Sequence, residues 1–300
     1  MTLLLALLAS LAVGTVQAAP LRVCLEESSP PYSFKFGERA GGFDLALAEA
    51  VADRLHRPLE IQWFETEQDE DEILPWQLNA LLSDGRCDLL AGFALIASGL
   101  GQPNSKHSKL PDFHGITKAD RKRRVALHAL VATAPYLRTE LAIVVPPGGD
   151  ANIMSLGDLK GRRIGGEVTT LAATLLYAYQ RGTLVEDVVT VAPDRDLLRR
   201  LAKHEFDAAL IELHKAERHN KRFPDAKVSI TGYRHAIGFN LGYAALEANG
   251  GLVSDVNAAL TTLRDDGTLE RIAAAQGLTY VAPKPPDILF RLTPQMLIEG

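Results

Sequence analysis

The run L-L-S-D-G-R-C-D-L-L-A-G-F, Leu81 to Phe93, decides the fold. It reads as the end of a helix, a tight turn at Asp84-Gly85, and a short apolar strand from Cys87. Glycine just past a helical run is a stop signal. Beyond Asp88 the strand shows no polar alternation, so both of its faces are expected to be buried. The pattern returns as R-L-A-K-H-E-F-D-A-A-L-I-E-L, Arg200 to Leu213, with Phe206 in the place of Cys87 and Asp207 in that of Asp88. A helix–turn–strand unit used twice, far apart, predicts two similar α/β lobes, each with a buried parallel strand. Two lobes leave a cleft, and clefts between domains are where small ligands bind.

Upstream of the first unit, L-R-V-C-L (Leu21 to Leu25) reads as the opening strand. The loop E-E-S-S-P-P-Y-S-F follows at its C-terminal end, the end that carries ligands in open α/β sheets. In G-G-F-D-L-A-L-A-E-A-V-A-D-R-L, the spacing of Phe43, Leu47, Val51 and Leu55 predicts a helix with Asp44 near its start. L-E-I-Q-W-F (Leu59 to Phe64) is a second strand, and the acidic run Glu65 to Glu72 is a solvated loop without calcium-loop spacing. Ala97 to Thr117 is a long stretch with little periodicity, and loops of that length are often functional. Five bases in Lys118 to Arg124 follow, read either as a charged helix start or as the source of an Arg facing the cleft.

Glu140 to Val145 is a strand ended by P-P-G-G-D, and the second lobe begins beyond it. Thr169 and Thr170 cap a helix there, and Lys227 to Thr231 and Ile237 to Ala245 read as separate strands. The chain is expected to leave the first lobe near Val144 and return near Phe239, so that two crossovers form a hinge. The tail from Val281 has no clear period and is expected to lie extended over one lobe.

Three hundred residues, 47% apolar and 23% charged, suit one large or two ordinary globular domains. A net charge of -5 is too mild for nucleic-acid binding. The apolar run Thr2 to Val13 followed by V-Q-A predicts an export signal over residues 1–18; the alternative is a buried N-terminal helix. After export two cysteines remain, Cys24 and Cys87, both at strand starts. If those strands are parallel neighbours in an oxidising compartment, the two are expected to pair; the alternative is two buried thiols.

No G-x-S-x-G elbow, P-loop, G-x-G-x-x-G or H-E-x-x-H is present, so no catalytic residue, metal or cofactor is expected. The residues suit a zwitterion instead. An Arg holds a carboxylate through a fork, a helix N-terminus capped by Thr169 and Thr170 offers N–H groups, and Glu212 at a strand end can take an ammonium. Tyr32 and Phe34 can pack on the apolar part or cap a cation.

These motifs, in this order, resemble the family 3 extracellular solute-binding proteins, the periplasmic receptors of polar amino-acid ABC transporters. The first strand and aromatic loop, G-G-F-D with its helix, L-L-S-D-G-R-C-D-L-L-A-G-F, D-L-K-G-R-R-I-G and N-A-A-L-T-T-L-R-D-D-G-T-L-E-R-I carry the likeness, over most of residues 21 to 280. The resemblance implies a two-lobe periplasmic binding protein type II fold, each lobe a mainly parallel sheet flanked by helices. Lobe 1 would be 19–143 and 238–300, and lobe 2 would be 144–237. It implies a monomeric, non-catalytic periplasmic receptor that passes a small polar solute to a permease.

By position, Tyr32 and Phe34 fall on the family's stacking aromatics, and Gly92 on its hinge-side backbone site. Thr169 and Thr170 fall on the carboxylate-binding cap, with Val168 where Gly is usual. Glu212 stands where an Asp commonly takes the ligand's amine. I-T-K-A-D-R-K-R-R-V resembles I-T-P-E-R with one residue extra, which makes Arg121 the carboxylate-binding Arg, after an insertion over Ala97–Gly115. R-V-C and G-R-C-D also resemble binding-protein homologues that accompany quinoprotein methanol dehydrogenases. That likeness implies a periplasmic dehydrogenase as partner.

Overall fold

The computed structural model describes residues 18–66 and 74–299. The expected export signal and most of the acidic run lie outside them. Leu21–Glu26 (β1), Leu59–Glu65 (β5) and Leu89–Ala94 (β6) form the parallel core of the first lobe. Between β1 and β5 stand a three-stranded flap, Ser28–Ser29 (β2), Ser33–Phe36 (β3) and Arg39–Gly41 (β4), and the helix Phe43–Arg54 (α1). Helix Leu74–Ser83 (α2) precedes β6. In the second lobe Ile164–Glu167 (β12) pairs in parallel with Val188–Val191 (β13) and Ala208–Glu212 (β14). Its helices are Leu171–Ala178 (α4), Leu197–Ala202 (α5) and Leu213–Arg222 (α6).

Two long antiparallel strands join the lobes. Leu137–Val145 (β11) and Ser229–Leu246 (β15) pair from Leu137↔Leu241 to Val145↔Ser229, with register shifts on the way. β15 also pairs with β6, and β11 with β14, so one sheet runs through both lobes. The two strands expected at 227–231 and 237–245 are therefore a single 18-residue strand. A strand that continues through register shifts keeps its backbone paired while its side chains change surroundings. That is why its sequence lacks one steady period.

The repeated unit has a structural meaning. The backbone N–H and carboxylate of Asp88 clamp Arg22 at the start of β1, with Asp88 N donating to Arg22 O (2.8 Å) and Arg22 N to Asp88 Oδ2 (3.1 Å). Asp207 does the same to Arg163 before β12, at 2.8 and 2.7 Å. Each Asp fixes its strand beside the parallel neighbour and sets the register. Cys24 and Cys87 form the expected disulfide across the neighbours β1 and β6, with Cα atoms 5.6 Å apart. Apolar clusters lie on both faces of the sheet in each lobe. In the first, α1, Gly250–Asp265 (α7) and Thr268–Gln276 (α8) cover one face and α2 the other.

The stretch 97–117 is structured. His107–Lys109 (β7) pairs with Arg124–Ala126 (β9), and Asp112–Phe113 (β8) adds an edge strand to β5. Leu130–Ala132 (β10) lies along β15. The tail also differs from expectation. Asn240 on β15 donates from Nδ2 to Lys284 O (2.8 Å) and Asp287 O (3.1 Å), and Leu289 exchanges backbone bonds with Leu95 and Ala97. Leu292, Met296 and Leu297 then pack on the core of the second lobe, the last two within the helix Pro294–Glu299 (α9). The tail thus runs along the hinge, and its last helix sits on the second lobe rather than on the first.

Candidate functional site

The carboxyl ends of the parallel strands face one cleft, the expected ligand edge of such sheets. Glu26 ends β1, Gly92 and Ala94 lie at the end of β6, Glu167 ends β12 and Glu212 ends β14. Tyr32 follows the first-lobe strand, and Gly42 keeps it close to α1. At φ 117°, a Cβ on Gly42 would stand 2.2 Å from Tyr32 O. The Tyr32 hydroxyl crosses the cleft and donates to Glu212 Oε1. It also lies 3.0 Å from His214 Nδ1, whose Nε2 is 2.9 Å from Thr279 O. Burial, then the Glu212 carboxylate, holds the Tyr32 phenol well above its usual value, so it stays a donor.

This clasp divides the cleft into two cavities. The first-lobe cavity, about 240 Å³, is lined by Glu26, Tyr32, Asp44, Phe64, Gly92 and Phe93 among others. No Lys or Arg lines it among the described residues. The second, about 250 Å³, is lined by Glu140, Glu167, Thr170, Glu212 and Phe239, with Lys215 as its one cation among the described residues.

Asp44 is buried at the first turn of α1. It accepts from Tyr136 Oη (2.9 Å), which in turn accepts from Gly92 N–H (2.7 Å). Burial pushes the Asp44 carboxyl up to about 7, with the Tyr136 hydrogen bond opposing. Gly92 has φ 67°, and a Cβ there would meet Asp44 Oδ2 at 2.9 Å. Its N–H serves Tyr136, so this backbone group is not free for a ligand.

Of the expected site residues, Tyr32 and Glu212 touch, Gly92 lines the cavity beside Tyr32, and Thr170 lines the one beside Glu212. Thr170 Oγ1 accepts from Ala173 N (3.1 Å), the expected cap of α4. Thr169 is exposed, at φ 64°, with its hydroxyl turned to Val168 O. Phe34 stacks on Phe36 and lines a different groove. Arg121 sits in the short helix Lys118–Lys122 (α3) and pairs with Asp112 on the edge strand β8. The 97–117 segment builds that edge and carries Arg121 away from the cleft. Sequence reasoning missed Glu26, Asp44 and Lys215. Lys215 stands three residues after Glu212, one turn along α6, and that spacing was its available signal.

Two lobes of parallel strands between helices, joined by a strand pair and facing a shared cleft, make up the type II periplasmic binding protein fold. Among proteins of that fold, the chain is similar to amino-acid-binding solute receptors. The arginine-binding extracellular protein ArtP of Bacillus subtilis (strain 168) is 25% identical over 252 residues, 81% of this chain and 80% of that protein. An ancestral arginine-binding protein bound to arginine is 25% identical, with TM-score 0.52 over 86% of this chain and 97% of its own. The unliganded, open L-cystine solute receptor of Neisseria gonorrhoeae shares the fold at TM-score 0.60 and 19% identity, over 89% of this chain and 96% of its own. No protein-family model matches the chain. These relatives are binding proteins, and no helix among the described residues is long and apolar enough to cross a membrane.

Proposed function

We propose that the chain is a non-catalytic receptor that captures a cationic amino acid between its lobes. It would act as an exported monomer and deliver the ligand to an ABC permease. The lobes would part at 143/144 and 237/238, with the last helix resting on the second. One observation carries the reading: the cleft is spanned by Tyr32 and Glu212, and the cavities beside that clasp are rimmed by Glu26, Asp44, Glu140 and Glu167. An ammonium or guanidinium matches this acidic lining, and a charged donor bonds a carboxylate more strongly than a phenol does. The ligand's amine would take the place of the Tyr32 hydroxyl on Glu212. Lys215 would meet its carboxylate, in the role expected of Arg121. The arginine-binding relatives support this choice of side chain.

A thermal-shift panel of L-amino acids tests it. Arginine or lysine at a hundredfold excess over Kd should add about 2.7 kcal/mol to stability and raise Tm. In Glu212→Gln, which keeps an acceptor for Tyr32, affinity should fall by about 1.5–3 kcal/mol. A panel in which no amino acid moves Tm rules the receptor out. The bridged cysteines within R-V-C and G-R-C-D favour a second reading, an accessory of a periplasmic quinoprotein dehydrogenase. Retention of such a dehydrogenase on the immobilised chain, with no amino-acid response, would select it.

A further inference from the structure

A groove of about 440 Å³ lies between the β3–β4 flap and α6; it shares no lining residue with either cleft cavity, although Arg218 and Arg222 also line a neighbouring pocket that reaches Glu167 and Lys215 of the second-lobe cavity. Phe34, Phe36 and Arg39 form the flap wall; Arg218, Lys221 and Arg222 form the wall on α6. The groove has four cations and no carboxylate in its lining. Lys221 is engaged, donating to Ala275 O at the end of α8 (3.1 Å). Arg222 lies over the Phe223 ring at 5.2 Å. No carboxylate pairs with Arg39, Arg218 or Arg222 among the described residues. Arg218 is half-buried, and burial followed by the charge of Arg222 disfavours its protonated form. Two guanidinium groups one helical turn apart therefore repel each other beside an empty space.

The flap wall has a different chemistry. Phe34 and Phe36 stack with centroids 5.9 Å apart, and Phe36 is 57% exposed. Large exposed aromatics next to unpaired guanidinium groups offer a flat apolar face and a fork for anions together.

We propose that this groove is a second ligand site, beside the two cleft cavities, that binds a small organic anion carrying two or more negative charges on a flat apolar body. The body packs on Phe34 and Phe36, and the charges meet Arg218 and Arg222 from one lobe and Arg39 from the other. Such a ligand links the two lobes at the flap.

Calorimetry on the full-length chain tests it with benzene-1,3,5-tricarboxylate as probe. Binding at one site is expected, weakening by about tenfold or more in Arg218→Gln/Arg222→Gln as charge-assisted contacts are lost. Phe36→Ser changes an exposed side chain without disturbing the core, and it should weaken the same probe several-fold. Citrate, with the same charge and no ring, should bind more weakly than the aromatic acid. Absence of binding heat overturns the proposal. So does unaltered affinity in both variants, or citrate binding as tightly as the ring compound. L-arginine titrated into the double variant keeps the two sites apart: its affinity should be unchanged, whereas a parallel loss would assign these arginines to the cleft.

Discussion

Loss of the Cys24–Cys87 bridge is expected to lower stability by about 4 kcal/mol. The bridge closes a loop with a sequence separation of 63 residues, which includes the flap, α1, β5 and α2. In the chain-entropy account, a loop of that length restricts the unfolded ensemble by about 4 kcal/mol. The native side favours the bond as well. Cys24 is in the middle of β1, Cys87 enters β6, and both sulfurs are buried in the cluster with Phe64, Leu81 and Leu90. The Asp88 clamp on Arg22 already holds the two strands in register, so reduction should spare the folded contacts and act mainly on the unfolded chain. Urea melts with and without a thiol reductant, and of Cys24→Ala/Cys87→Ala, measure the difference. A change below about 1 kcal/mol would mean that the unfolded loop is already restricted by residual structure.

The legible parts of the sequence were those whose signal is local. The paired G-R-C-D and E-F-D units announced two lobes because each contains its own helix stop, buried strand and register-setting Asp. The place of Glu212 beside the cleft was legible because an apolar strand ends on an acid at the ligand edge. Arg121 was not. Thr117 and Asp120 form a capping box, so the local sequence correctly starts a helix at Lys118. Where that helix sits depends on β7 and β8, whose short strands carry no periodic signature. Phe34 shows a related failure. Period-two alternation puts Phe34 and Phe36 on one face of β3, and that face turns to α6 instead of to the clasp. Asp44 read as an ordinary acid in a first helical turn. Its hydrogen-bond partner Tyr136 is 92 residues away, and a partner so distant leaves no mark near position 44.

That buried acid makes the other large prediction. Asp44→Asn is expected to stabilise the chain at neutral pH and to flatten its stability between about pH 4 and pH 7. Burial raises the folded carboxyl from the usual 3.8 to about 7, and the hydrogen bond from Tyr136 only partly opposes it. Between those values the folded chain keeps a proton that the unfolded chain has released. Stability from this group is thus fully present below about pH 4, declines as pH rises, and is gone above about pH 7. The interval amounts to about 4 kcal/mol. Asp84 contributes with the opposite sign: partial burial works against ionisation, but Arg123 and Arg86 outweigh it and hold the carboxyl below its usual value. Its share is lost as pH falls, so the wild-type profile alone mixes the two, and the comparison with Asp44→Asn isolates one. Asn keeps an oxygen for Tyr136 and has no charge to bury, so the variant should match wild type near pH 4 and exceed it at pH 8. Equal stability at pH 8 would show that water in the adjoining first-lobe cavity hydrates the ionised carboxylate. The same cavity is where the proposed cationic side chain would sit, so a bound guanidinium should favour ionised Asp44 and release a proton. Arginine affinity should accordingly rise with pH through 7 in the wild type and lose that dependence in Asp44→Asn.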